Sequence, residues 1–133
     1  MPTIFTRIID GEIPGTFVHR DEHAVAFMSI NPLALGHTLV VPVEEVDHWV
    51  DLPADLAAHL FALAHRIGRA QQLAFRCERV GLIIAGYEVP HTHVHVVPTS
   101  HMGNLDFSTA ARSVERAVLE DAADAIRDAL TRV

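Results

Sequence analysis

The segment richest in chemistry is Gly86-Tyr-Glu-Val-Pro-His91-Thr-His93-Val-His95-Val-Val-Pro98. Side chains alternate faces along a strand, so His91, His93 and His95 share one face, with consecutive rings roughly 6–7 Å apart. Thr92, Val94 and Val96 take the other face, which suits a core. Three imidazoles in a row repel one another when protonated, and each charge depresses its neighbours' pKa. A purely structural strand would carry valine or isoleucine in those places. Two chemistries fit the row. Alternate histidines chelate zinc, and three of them with a water form a hydrolytic centre. A neutral imidazole is also a nucleophile toward phosphorus, and adjacent rings can set its tautomer and protonate a leaving group. Residue types alone leave both open.

Such a row needs a sheet beneath it, and the chain supplies one. Phe17–Arg20 reads as a strand after the Pro14-Gly15 turn, Ala24–Ile30 as a second closed by Asn31-Pro32, and His37–Val41 as a third between Gly36 and Pro42. The period then changes. Leu56, Leu60, Leu63, Ala64, Ile67, Ala70 and Ala74 form one helical stripe, so a long helix is expected at about 54–75, with Pro53 in its first turn. Val80–Ala85 and Thr92–Val97 read as a hairpin about Gly86. Val114, Val118, Ala122, Ile126 and Leu130 recur every four residues and predict a helix at about 113–131. Its acids (Glu115, Glu120, Asp121) come early and its arginines (Arg127, Arg132) late, which suits the helix dipole. The fold class is α+β: about five mostly antiparallel strands, one long central helix and a C-terminal helix.

Composition narrows the classes. A chain of 133 residues, half of them hydrophobic, predicts one domain over 1–133 with a sizeable core. The single cysteine, Cys77, excludes an intramolecular disulfide and a multi-cysteine metal site, and fits a reducing compartment. A formal charge of −7 is poorly suited to tracking a nucleic-acid backbone, yet compatible with one phosphate at one site. The N-terminus lacks a signal-peptide pattern, and no apolar run approaches the ~18 residues of a membrane span. A cytoplasmic protein with no nucleic-acid or membrane partner is expected. His19, His23, His48, His59, His65 and His101 have no motif around them and are expected at the surface.

The run His91-Thr-His93-Val-His95-Val-Val resembles the His-φ-His-φ-His-φ-φ motif, with φ apolar, of the histidine triad (HIT) family. Thr3-Ile-Phe-Thr-Arg-Ile-Ile-Asp-Gly-Glu-Ile-Pro14 resembles that family's N-terminal segment. Ala26-Phe-Met-Ser-Ile-Asn-Pro32 and Gly36-His-Thr-Leu-Val-Val-Pro42 resemble its central strands. The resemblance implies a nucleotide hydrolase in which His93 attacks the α-phosphorus and forms a nucleotidyl-histidine that water then hydrolyses. It implies that His95 contacts the phosphate, and that His91 and His37 support the nucleophile. Glu88 and Val89 would lie on the phosphate-side turn after Gly86. Phe5, Ile8 and Ile30 would wall the base of a purine nucleotide. A homodimer is implied, and no cofactor. The third histidine points to the hydrolase branches, because a nucleotidylyltransferase branch carries glutamine there.

The departures bear on metal and substrate. Many members carry Cys-x-x-Cys near the N-terminus as part of a zinc site; Thr3 and Thr6 stand there, so no metal is expected. Ser29 takes the place of a ribose-binding acid or amide, and Ala85-Gly86-Tyr87 replaces a longer polar loop. Three functions remain in view: a hydrolase acting through His93, a nucleotide-binding scaffold with little turnover, and a metal hydrolase using the histidine row.

Overall fold

Runs of β-branched and aromatic residues build a five-stranded sheet in the computed structural model, which describes residues 1–133. The strands are β1 (Phe17–Arg20), β2 (Ala24–Met28), β3 (Thr38–Pro42), β4 (Arg79–Ile83) and β5 (Val94–Thr99). Every pairing is antiparallel, and the spatial order is β1-β2-β3-β5-β4. Three helices accompany it: α1 (Ile4–Ile9), α2 (Ala54–Ala74) and α3 (Arg116–Leu130). The α+β expectation therefore holds. No helix is long and apolar enough to cross a membrane.

The sheet buries both faces, unequally. On one, Ala26, Val40, Val94 and Val96 meet Leu60, Leu63, Ala64 and Ile67 of α2, and α3 adds Ala122, Ala123, Ile126 and Ala129. Each fully buried branched side chain there is worth about 1.5–3 kcal/mol. On the other face, Val25, Phe27, Leu39 and Val41 are covered by Phe5 of α1. In the register of β3 with β5, Leu39 lies opposite His95. The triad thus rises on the thinly covered face, where a ligand has room.

Several expected boundaries move. The second strand stops at Met28, short of Ile30, which is 68% exposed. The third begins at Thr38, after His37, and takes in Pro42, whose missing N–H costs little at a strand end. The expected hairpin forms, β4 pairing antiparallel with β5, but its connection is longer than expected, residues 84–93, and only His95 of the triad lies within β5. Pro90 has no N–H, while the His91 and Thr92 amides donate to Val89 O (2.8 Å) and Val46 O (2.7 Å). These donors are withdrawn from the ladder before Val94. The C-terminal helix starts at Arg116 with Glu115 as its N-cap residue, so its first turn carries no acid.

One helix escaped the sequence reading. Thr3 caps α1 by accepting the Thr6 amide (3.2 Å), and Phe5, Ile8 and Ile9 stand at i, i+3 and i+4. One buried polar residue did as well. Gln71 lies on the buried stripe of α2, and its Nε2 donates to Gly36 O (3.0 Å) and Val96 O (2.9 Å). It ties the helix to backbone beside His37 and His95. Gly36 itself has φ +93° and lies against the ring of Phe75 at the end of α2.

Candidate active site

His93 and His95 stand edge to face, with ring centroids 5.0 Å apart, at the base of a cleft of about 720 Å³. That volume is within the usual range for a small-molecule site. Each ring's tautomer follows from fixed main-chain partners. His93 Nδ1 lies 2.7 Å from His91 O; a carbonyl only accepts, so Nδ1 carries the proton and Nε2 keeps its lone pair. The Leu33 amide donates to His37 Nδ1 (3.0 Å), which leaves His37 Nε2–H to donate to His95 Nδ1 (3.0 Å). Neutral His95 then holds its proton on Nε2, free to donate. An unprotonated nitrogen and an N–H donor sit on adjacent rings.

Burial keeps His37 and His95 neutral. It pushes His37 down to about 3, with the neighbouring His95 adding to the effect, and His95 down to about 4, with His93 adding. Both folded values lie below the ordinary histidine value, so the unfolded chain binds more protons in acid, and the stability these groups contribute is lost as pH falls. Melting temperature is expected to be flat above about pH 7 and to fall between about pH 6.5 and 4, before most carboxylates titrate. Calorimetry at pH 4.5 and 7.5 checks this; equal melting temperatures would refute it.

His91 differs from its companions. It is fully buried behind Phe5 and lines no wall of the cleft. Its Nε2–H donates to Pro42 O (2.7 Å), so its Nδ1 accepts from Thr3 Oγ1 (2.7 Å). Burial lowers its pKa, opposed by the Pro42 carbonyl and the Glu45 charge and assisted by His93. It fixes the lead-in strand and offers its carbonyl to His93.

Most other expected residues reach the cleft. Phe5 packs edge-on against His93 at 4.9 Å, and Ile8, Ser29, Ile30, Glu88 and Val89 line the walls. Gly86 does not line it; its φ of +84° serves the turn, and Tyr87 beside it is 97% exposed. The sequence reading missed Phe107, whose ring stands 5.0 Å from His95, and also Arg112 and Arg116. They come from the segment after β5, where no periodicity marks a wall. His19 and His59, expected as plain surface residues, both bind Asp21, with Nε2 atoms 2.6 and 3.0 Å from Oδ2. Burial raises the Asp21 carboxyl, but bonds from His19, the His23 amide, His59 and the Ala24 amide outweigh it and hold the group well below the usual range.

The residues present do not fit zinc. Thr6 Oγ1 donates to Glu45 Oε1 (2.6 Å), the Thr3 amide donates to the same oxygen (2.7 Å), and Thr3 Oγ1 is committed to His91. Two neutral hydroxyls replace the thiolates a structural zinc site uses. No group of three histidine, cysteine, aspartate or glutamate side chains converges to hold a metal ion.

With this geometry in place, comparison with known proteins gives one answer. The HIT domain family matches residues 10–102. A HIT-like protein of Methanocaldococcus jannaschii, itself uncharacterised, is 37% identical over 71% of this chain and 77% of its own. The adenosine 5'-monophosphoramidase of Saccharomyces cerevisiae is 31% identical over 71% of this chain and 61% of its own. A zinc-bound histidine triad protein of Mycobacterium smegmatis superposes with a TM-score of 0.82 at 28% identity, covering 97% of this chain and 93% of that one. The chain belongs to the histidine triad family.

Proposed function

We propose that the protein is a nucleotide hydrolase that cleaves at the α-phosphate of a nucleoside phosphoramidate or dinucleoside polyphosphate through a nucleotidyl-His93 intermediate. The observation that carries the reading is the His93 tautomer: Nδ1–H is engaged by His91 O, so the Nε2 lone pair is available beside the His95 Nε2–H donor. The yeast phosphoramidase relative supports the same class. In the phosphoramidate reaction, Nε2 forms a bond to phosphorus as the P–N bond to the amine breaks. The amine departs with the protons its nitrogen carries in the zwitterionic substrate, and His93 becomes an N-nucleotidyl imidazolium. Water then adds its oxygen to phosphorus, the bond to Nε2 breaks, and one proton leaves to solvent with the nucleoside monophosphate. His95 donates to a phosphate oxygen throughout, which favours charge developing there. The base of a purine nucleotide rests on Phe5, Ile8 and Ile30, with the ribose beside Ser29.

The reaction needs no metal. Adenosine 5'-phosphoramidate is expected to yield AMP at a rate that EDTA leaves within about twofold. Loss of activity to the chelator, restored by zinc, would favour the metal hydrolase; tight binding without product would favour the scaffold.

The protein acts as a homodimer in the cytoplasm. Edge strand β4 is uncovered, and a groove of about 520 Å³ runs between it and α2, lined by Phe61, Ala64, Gly68 and Leu82. Phe61 is 63% exposed, a patch of the kind that subunits cover. Light scattering at micromolar concentration should return twice 14.6 kDa. A monomer mass that does not change with concentration would sink this proposal.

A further inference from the structure

The chain contains no lysine; its cations are ten arginines, outnumbered by 17 acids. Two of those ten, Arg112 and Arg116, line the cleft, against one carboxylate, Glu88. The cleft is thus locally cationic in an acidic protein. Three arginines outside the cleft are held by acids, Arg7 by Glu12, Arg127 by Asp124 and Arg132 by Asp128, at 2.7–3.1 Å. Arg112 has no such partner. Arg116 has Glu120 at 3.9 Å, the outer limit of pairing, and Glu120 is shared with Arg127 at 3.8 Å.

Their position is fixed by the backbone. Asn31 Nδ2 donates to Ala111 O (3.2 Å) and Arg112 O (2.8 Å), and the Ala111 amide donates to Pro32 O (3.0 Å). The Asn31 amide in turn donates to Ser29 Oγ (3.3 Å). Ser29, Asn31 and Arg112 therefore form one stitched wall, and Arg116 follows four residues later at the start of α3. Arg116 also opens α3, the helix end where a cation is disfavoured by the dipole. Local preference is overridden there, as is common where a residue serves a ligand.

We propose that Arg112 and Arg116 form a subsite for a phosphate on the ribose, so that the substrate class is a nucleotidyl compound phosphorylated at its 2'- or 3'-hydroxyl. This rests on the reading above that places the α-phosphate at His93 and His95 and the ribose at Ser29. Dinucleotide enzymes make the same distinction: a carboxylate binds an unmodified ribose hydroxyl, and an arginine accommodates a ribose phosphate. Here the wall carries the neutral hydroxyl of Ser29, with no charge to repel phosphate, and two guanidiniums stand on the same wall. Guanidinium is suited to the task because its planar fork engages phosphate oxygens in pairs. A bare ribose meets only a hydroxyl at Ser29, so unphosphorylated nucleotides bind without this contribution.

The test compares AMP with adenosine 3',5'-bisphosphate and adenosine 2',5'-bisphosphate by calorimetric titration, and kcat/KM for adenosine 5'-phosphoramidate with and without the ribose phosphate. One ribose-phosphorylated isomer should be preferred at least tenfold in both measurements. In the Arg112→Ala/Arg116→Ala double variant the preference should collapse to within about threefold, whereas Arg132→Ala should retain it. A wild-type ratio near one, or a preference that survives the double variant, overturns the proposal and leaves the hydrolase reading standing. A preference for diadenosine tetraphosphate that is lost in the double variant would put the arginines on the leaving group and also overturn it. If no adenosine compound binds or turns over, the nucleotide reading of the cleft has failed instead.

Discussion

His93→Ala is expected to lower kcat for phosphoramidate hydrolysis by at least about a thousandfold, a loss of about 4 kcal/mol of transition-state stabilisation. Removing a covalent nucleophile eliminates the route rather than slowing it, and what remains is whatever the donors and the bound geometry supply. Nucleotide affinity should stay within about tenfold, because the walls at Phe5, Ile8 and Ile30 and the donor on His95 are untouched. Folding should survive as well. The lost ring packs against Phe5 at 4.9 Å, but it faces a cleft and not a closed core. Rapid acid-free denaturation during turnover, followed by mass spectrometry, should find the wild-type chain heavier by one nucleotidyl group and the variant unmodified. Retention of more than about a tenth of the wild-type rate would remove His93 from its proposed role.

Gly36→Ala should be the most damaging small substitution outside the triad. At φ +93° a side chain strains the backbone by about 1–2 kcal/mol. Its Cβ would also stand 2.4 Å from Phe75 Cε2 and 2.9 Å from Cδ2 and Cζ, an overlap of a kind that costs about 1–3 kcal/mol. Together they predict a loss of about 2–5 kcal/mol, or roughly 10 °C or more in melting temperature. Gly86→Ala separates the two effects, since its φ is +84° and nothing lies within 4 Å. It should cost only the backbone part. Truncating the ring with Phe75→Ala in the Gly36→Ala background should recover part of the difference. Equal losses at Gly36 and Gly86 would show that Phe75 yields freely. Activity should fall with stability at Gly36, because the next residue is His37 and the Gly36 carbonyl accepts from Gln71 and Thr38.

The strands and long helix could be read from the chain because their signals are periodic. Leu60, Leu63, Ala64, Ile67 and Ala70 repeat at helical spacing and are buried as that spacing requires. What escaped lacks a period or depends on distant partners. Gln71 looks like a surface residue of α2 until the carbonyls of Gly36 and Val96 are placed beside it. α1 has only six residues, too few for a stripe to stand out, and its cap shares an oxygen with His91 from the other end of the chain. Strand alternation predicted all three triad histidines on one face, but only His93 and His95 line the cleft, and His91 lies buried behind Phe5. This depends on Pro42, a residue of another strand. Arg112 and Arg116 were invisible as cleft residues because Asn31, eighty residues earlier, sets where they stand.

The hydrogen bonds that end at His95 run in a single direction. The first donor is the Leu33 main-chain amide, the second is His37 Nε2–H, and the third is His95 Nε2–H. An amide at the head of such a line has no proton to surrender, so the line is a dead end for proton conduction. It behaves as a fixed dipole aimed into the cleft, each member polarising the next. In the hydrolysis proposed above, His37 would therefore not recharge His95 between half-reactions; its part is to hold that ring's N–H toward the cleft. A site wired this way has nothing to reset after each turnover.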